Sequence, residues 1–207
     1  MSDDYRQVQA IARSEVQASP VGRLGLGTRK LLWAALGPVV IGPDHFAIPQ
    51  AGLLRRVRLF GSAVRRVLPF WVAAIPNDPG PQELVDLAEG RLRGDVDPNT
   101  VLNRVDRMTT QLQNFGGEPP EIVRASYVAH AASDLACVAC GDVEYEPGRR
   151  DEDLDQWDAP LYASWAYCGG AAWERSNTGE RDAKRAAFWM WFLDQAFDDA
   201  IEAHPAP

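Results

Sequence analysis

The chain has 207 residues, of which 46% are hydrophobic and 24% are charged, as expected for one sizeable globular domain or two small ones. It carries 29 Asp and Glu against 21 Lys and Arg, and the net charge of −8 disfavours nucleic acid as the partner of the whole molecule. Glycine and proline interrupt the longest apolar stretch, residues 31–48, before it reaches the roughly 20 residues needed to cross a bilayer, so we predict no membrane partner.

Apolar residues recur at three- and four-residue spacing along nearly the whole chain, and no segment alternates convincingly at period two. The short connections between these segments favour antiparallel neighbours. We therefore predict an all-α fold, a single bundle of about seven or eight mostly antiparallel helices over residues 1–207. The predicted helices are Asp3–Ala18, Arg29–Leu36, Leu53–Trp71, Gln82–Leu92, Thr100–Gln113, Pro119–Ala139, Leu161–Glu174 and Asp182–Ala203.

Three glycines separate the first helix from the second. We interpret Gly22, Gly25 and Gly27 as a flexible linker, so that residues 1–27 form a peripheral helix and linker. A phosphate site at the next helix N-terminus is the alternative. Thr28 is the predicted N-cap of that helix. A loop over residues 37–49 is expected to pack on the core.

The third predicted helix interleaves arginine with apolar residues. Arg55, Arg58, Arg65 and Arg66 fall outside its apolar stripe. RNA binding is one interpretation; in an acidic protein we favour ion pairs between these arginines and carboxylates of the last third. Pro69 is expected to kink this helix or to end it early. The Ala-rich sixth helix is predicted to lie centrally, because its small residues permit close packing.

Cysteine and histidine suggest two kinds of site, and we favour neither. His130, Cys137, Cys140 and Cys168 could form a Cys₃His zinc site, but no second closely spaced ligand pair is present, so core cysteines are preferred. His130 and Asp134 are four residues apart and could pair in a cleft that binds a small ligand or substrate. No nucleophile is placed beside them, and we predict no cofactor and no catalytic residue.

The acidic excess lies entirely in the last third of the chain. Residues 140–207 carry 15 acidic and 6 basic side chains, together with five of the seven tryptophans. Helical spacing assigns part of this segment to the core. The remaining candidate surface for a basic protein partner consists of Asp151, Glu152, Asp153, Asp155, Trp157 and Asp158.

Several motifs between Arg55 and Gly141 resemble one known family. They are Val67-Leu68-Pro69, the turn Pro76-Asn77-Asp78-Pro79, the segment Glu83–Gly94 and the helix containing Tyr127–Ala132. This order resembles the Imm-five family of bacterial immunity proteins from polymorphic toxin systems. The resemblance implies a non-enzymatic, all-α, cytoplasmic protein that binds and blocks a cognate toxin of the same cell. A basic toxin would fit the acidic last third.

Three hypotheses follow from the sequence. The first is an immunity protein that occludes a cognate toxin. The second is a small-ligand-binding protein or enzyme with a cleft around His130 and Asp134. The third is a helical module stabilised by metal. The absence of a basic, apolar leader in the first residues and the odd number of cysteines, three, favour a cytoplasmic location.

Overall fold

A computed structural model describes residues 4–115, 119–142, 157–171 and 178–203. The described residues form an α-helical bundle and one very short β-hairpin, which confirms the predicted all-α fold. The helices are α1 (Asp4–Ala18), α2 (Leu26–Ala35), α3 (Ala51–Ala74), α4 (Gly80–Arg93), α5 (Pro98–Leu112), α6 (Pro120–Cys140), α7 (Ala159–Cys168), α8 (Thr178–Trp191) and α9 (Phe197–Glu202), and the strands are β1 (Val40–Ile41) and β2 (Ala47–Ile48).

Helix α6 lies at the centre of the bundle, as predicted. It packs against α3, α4, α5 and α7. Its alanines Ala125, Ala129, Ala132 and Ala136 are fully buried, and their small side chains let the neighbouring helices approach closely. The largest buried side chains elsewhere in the core include three tryptophans, Trp33, Trp71 and Trp189.

The glycine-containing segment that follows α1 packs closely against α8. Gly22 has φ +61°, and a Cβ at this position would lie 2.5 Å from the carbonyl oxygen of Asp182 and 2.7 Å from the amide nitrogen of Ala186. Glycine is required here because only it combines this left-handed backbone with so close an approach. The segment predicted to be a flexible linker therefore contains a tight helix contact.

Helix α2 begins earlier than predicted, with Gly25 rather than Thr28 at its N-cap. Glu15 on α1 explains the difference. One carboxylate oxygen accepts a hydrogen bond from the Gly25 amide at 2.7 Å, and the other accepts one from the Thr28 hydroxyl. A carboxylate from a neighbouring helix thus binds at the positive end of α2.

The loop expected over residues 37–49 contains an antiparallel hairpin of two residues per strand, in which Val40 pairs with Ile48. Strands this short leave no alternation for sequence analysis to detect. Ala47 is buried, and its carbonyl accepts a hydrogen bond from Arg91 on α4 at 2.8 Å. The hairpin therefore packs on the bundle, as expected for this segment.

Pro69 does not end α3, which continues to Ala74. Proline removes one hydrogen bond to the carbonyl of Arg65, but Arg65 and Pro69 both lie on the exposed face, where solvent can reach that carbonyl. Val67 and Trp71, on the buried face, hold the helix against the core. Within the described ranges, no helix has both the length and the apolar character to cross a bilayer.

Helix α7 is shorter than predicted. It ends at Cys168 because Gly169 adopts a left-handed conformation with φ 85°, which terminates a helix. Helix α8 runs through a π-helical turn, Phe192–Ala196, directly into α9. Gln9 on α1 is buried against this turn and donates hydrogen bonds to the Leu193 carbonyl and to Asp198. Helix α1 is thereby attached to the last helix of the chain.

Candidate partner-binding surface

The predicted partner-binding residues fall into two groups in the structure. Asp151, Glu152, Asp153 and Asp155 lie outside the described residues. Trp157 and Asp158 are described, and they occupy the two positions before α7. Trp157 is half-buried, whereas Asp158 is only 1% exposed.

Trp157 belongs to an aromatic cluster formed by α6 and α7. Its ring meets that of Trp165 edge-on, with the centroids 4.9 Å apart, and that of Tyr162 at 5.8 Å. The His130 imidazole stacks on Tyr162 at 5.0 Å, and Tyr127 contacts Trp165 at 5.4 Å. Trp165 is buried, and the other four rings are half-buried. The cluster therefore has a buried base and a partly accessible aromatic surface.

Asp158 has a structural role, which corrects its prediction as a surface contact. Its carboxylate caps α7 by accepting a hydrogen bond from the Leu161 amide at 2.9 Å. The same carboxylate forms a buried ion pair with Arg29 of α2, with 2.8 Å between Nε and Oδ2. Arg29 also donates to the Leu24 carbonyl at 3.0 Å. Asp158 is buried because these partners replace the water that an isolated carboxylate needs.

The His130–Asp134 pair suggested by the sequence does not form. His130 stacks on Tyr162, whereas Asp134 accepts a hydrogen bond from the Ala159 amide at 2.8 Å. Because α7 packs along α6, each of the two side chains meets a different residue of α7. The two side chains are therefore not paired in the way that the cleft hypothesis assumed.

Burial dominates the electrostatics of this region. Desolvation raises the pKa of Asp134 well above its usual range, and the neighbouring carboxylates of Asp158 and Asp142 raise it further. Desolvation also raises the pKa of the Tyr162 hydroxyl and lowers the pKa of His130. The tyrosine and histidine therefore favour their neutral forms at neutral pH, and the surroundings of Asp134 disfavour its charged form.

The candidate zinc ligands are directed to different partners. The Cys140 thiol points to the Pro98 carbonyl at 3.7 Å, and that of Cys168 lies 3.0 Å from the Gly170 carbonyl. Burial raises the pKa of Cys137 to about 12 and that of Cys140 to about 11, which disfavours the thiolates that bind metal. Among the described residues, no group of three or more His, Cys, Asp or Glu side chains is placed to hold a metal ion.

Arg55, Arg65 and Arg66 on α3 each contact a described group other than a carboxylate of the last third. Arg55 is buried and donates to the Leu36 carbonyl at 3.0 Å, at the C-terminal end of α2. Arg65 pairs with Glu89 of α4 at 2.6 Å. Arg66 stacks on the Trp191 ring. The periodicity located these arginines on the helix, but their partners come from distant parts of the sequence.

A family comparison covers the elements that build this surface. The sequence model of the family described as immunity protein Imm5 matches residues 10–199, nearly the whole chain. The chain belongs to the Imm5 family. This match confirms the resemblance of residues 55–141 to the Imm-five proteins. No match to a curated protein was found.

The Imm5 match includes positions that sequence reasoning did not single out as a site. Asp134 was considered only together with His130 in a possible cleft, and Arg29 only as the first residue of the second predicted helix. Asp134 contacts Ala159, 25 residues away, and Arg29 contacts Asp158, 129 residues away. A single sequence carries no signal for contacts at such separations; the acidic and aromatic composition around Trp157 was the available clue.

Proposed function

We propose that this Imm5 family member binds and neutralises a cognate toxin produced by the same bacterial cell. It acts in the cytoplasm as a binding protein rather than an enzyme, and the toxin surface that it covers is basic. Inhibition is by occlusion, in which the immunity protein sits over the active surface of the toxin and excludes its substrate. Family membership supports the immunity role, and the arrangement around Trp157 supports the basic partner.

The observation that carries this proposal is the half-buried Trp157 at the edge of the aromatic cluster. Trp157 follows a segment containing Asp151, Glu152, Asp153 and Asp155, with one residue between Asp155 and Trp157. Tryptophan and tyrosine supply large contact areas in the centres of protein interfaces. Acidic side chains around such an anchor favour a partner of opposite charge.

The carboxylates at positions 151–155 and Trp157 have different roles in the proposed mechanism. The carboxylates act at long range and steer a basic toxin towards the surface, which accelerates association. Trp157 acts at contact, where burial of its remaining exposed ring area slows dissociation.

Co-expression with the toxin encoded beside the gene tests the proposal. The test variant replaces Asp151, Asp153 and Asp155 with Asn and Glu152 with Gln, which removes four negative charges. The control variant removes four exposed charges elsewhere, by Asp86→Asn, Asp106→Asn, Asp199→Asn and Glu202→Gln. Both variants have the same net charge, so a difference between them reports the location of the acids.

We expect cells with the control variant to survive and cells with the test variant to lose protection. The affinity for the toxin, measured by titration calorimetry of the purified proteins, should be lower for the test variant than for the control variant. Full protection by the test variant would refute the proposed surface. Unimpaired toxicity in the presence of the unaltered chain would refute the immunity role for that toxin.

A further inference from the structure

Arg66 on α3 is a cation framed by aromatic rings. Its Cζ atom lies 4.1 Å from the ring centroid of Trp191 and 5.1 Å from that of Tyr167. Its Nε atom is buried and has no hydrogen-bond partner, and no hydrogen bond or ion pair joins the guanidinium to another described residue. The neighbouring Arg65, by contrast, is exposed and paired with Glu89 at 2.6 Å.

The stacking leaves the hydrogen-bonding edge of Arg66 available. The residue is only half-buried, so the two Nη groups retain access to solvent, whereas Nε faces the interior. Stacking on Trp191 and Tyr167 fixes the plane of the guanidinium before any ligand binds, which reduces the entropy lost on binding. The apolar walls also exclude water from one side, and a charge-assisted hydrogen bond is stronger in such surroundings.

We propose that Arg66, between Trp191 and Tyr167, is a binding site for a carboxylate side chain of the protein partner. The planar fork of arginine matches the two oxygens of a carboxylate. A polyanion such as nucleic acid would require several adjacent cations and would be repelled by a molecule of net charge −8. A single arginine in an aromatic frame is instead the composition found at the centres of protein interfaces.

The position of Arg66 relative to Trp157 supports one partner that contacts both. The contacts of Asp134 with Ala159, His130 with Tyr162 and Arg124 with the Tyr167 carbonyl show that α6 and α7 run antiparallel. The ten residues from Arg124 to Asp134 correspond to about 15 Å of helix. Trp157, which precedes α7, lies towards the Asp134 end of this helix pair, and Tyr167, which contacts Arg66, lies towards the other end. That the partner is a toxin rests on the proposed function, whereas carboxylate binding by Arg66 does not depend on it.

A small carboxylate probe tests the site without the toxin. N-acetyl-glutamate amide is titrated into the full-length protein, and the indole N–H resonance of Trp191 is followed by NMR. We expect a saturable shift in the millimolar range, and no shift with the matched uncharged probe N-acetyl-glutamine amide. Inorganic phosphate is titrated in parallel. Tighter binding of phosphate than of the carboxylate would overturn the proposal in favour of a phosphate site.

Variants assign the effect to Arg66. Arg66→Gln should abolish the shift, whereas Arg65→Gln, on the same helix, should leave it unchanged. Arg66→Lys keeps the charge but loses the planar fork, and we expect at least several-fold weaker binding. Trp191→Leu is the second test should Arg66→Gln fail to fold, since it retains Arg66 and should also weaken binding. The melting temperature of each variant establishes that it is folded.

Two results would overturn the assignment. The first is an equal shift with the glutamate and glutamine probes, and the second is an undiminished shift in folded Arg66→Gln. Binding must also disappear as the probe carboxylate is protonated near its pKa of about 4.3. Loss of this site would leave the proposed immunity function standing, because that function is tested by the acids at positions 151–155.

Discussion

Asp134 is a carboxylate in surroundings that disfavour its charge. Its pKa is raised because burial removes water and because Asp158 and Asp142 are nearby. The Ala159 amide stabilises the ionised form, but this single hydrogen bond does not cancel the other two effects. The neighbouring Asp158 is bonded to the Arg29 guanidinium. The site therefore costs stability at neutral pH.

Asp134→Asn should consequently stabilise the protein at neutral and higher pH. A raised folded-state pKa means that the folded state binds the proton more tightly than the unfolded state. The resulting stabilisation is complete below the unfolded pKa of about 3.9 and is lost as the pH rises through the folded pKa, by about 1.4 kcal/mol per pH unit. The asparagine oxygen can still accept the Ala159 hydrogen bond, and the variant does not undergo this loss.

The measurement is the melting temperature of both proteins between pH 4 and pH 9. We expect the variant to melt at a higher temperature at pH 8 and the difference to shrink as the pH falls. Asp106→Asn, at an exposed position on α5, is the control and should change stability by less than about 0.5 kcal/mol. A variant that is less stable than the parent at pH 8 would contradict the effect assigned to burial.

The contact between Gly22 and α8 is a property of two elements rather than of one residue. Gly22→Ala places a methyl group against the backbone of α8, at 2.5 Å from the Asp182 oxygen, in a left-handed conformation. Backbone atoms cannot rotate away, so the segment that carries Gly22 must move away from α8. We expect a loss of at least about 2 kcal/mol of unfolding free energy, measured by urea denaturation.

Gly27→Ala is the matched control for this prediction. Gly27 lies in the first turn of α2, is exposed, and has open space where the methyl group would be. Alanine is the better helix former, so this change should stabilise the protein by about 0.5–1 kcal/mol. Similar effects of the two substitutions would mean that the close approach at Gly22 does not contribute to stability.

The helices were predictable because they depend on local periodicity, whereas several of their ends were not. The stripe Val101, Val105 and Met108 is buried as its spacing requires, and Asp97 caps α5 by accepting from the Asn99 amide. The start of α2 was missed because the carboxylate that binds its N-terminal end belongs to Glu15 on another helix. The hairpin at Val40 was missed because two-residue strands leave no pattern.

The candidate site was predictable only in its composition. The combination of Trp157 with nearby acids could be found from the sequence, since tryptophan and charge are visible in one dimension. The burial of Asp158 could not be found, because it depends on Arg29 at a distance of 129 residues. The site at Arg66 depends on Trp191 in the same way: the sequence shows an arginine and a tryptophan, and only the fold stacks them.

At the scale of the whole molecule, part of the charge asymmetry is balanced by ion pairs within the fold. Asp158 forms an ion pair with Arg29 of α2, and Asp194 forms one with Arg13 of α1 at 2.6 Å. These carboxylates hold the last third against the N-terminal helices. The excess that is left to attract a basic partner is therefore smaller than the composition suggests, and it should act mainly through long-range attraction.

This division leads to a kinetic prediction for the complex with a basic toxin. Neutralising the four acids between residues 151 and 155 should slow association by about tenfold at low salt, and the difference should diminish as added salt screens the charges. Trp157→Ala should instead accelerate dissociation by about 30-fold, the equivalent of about 2 kcal/mol, with little change in association. Surface plasmon resonance at several salt concentrations separates the two rates.

Tyr5→Ala, a half-buried aromatic on α1, is the control for loss of an aromatic side chain and should alter neither rate while the protein stays folded. A tryptophan that anchors the partner acts after the encounter, so its removal cannot reproduce the salt-dependent change. If the four-acid variant and Trp157→Ala both altered only the association rate, Trp157 would not contact the toxin in the final complex. Should both alter only dissociation, the acids would lie inside the interface, where desolvated pairs rather than long-range attraction hold the toxin.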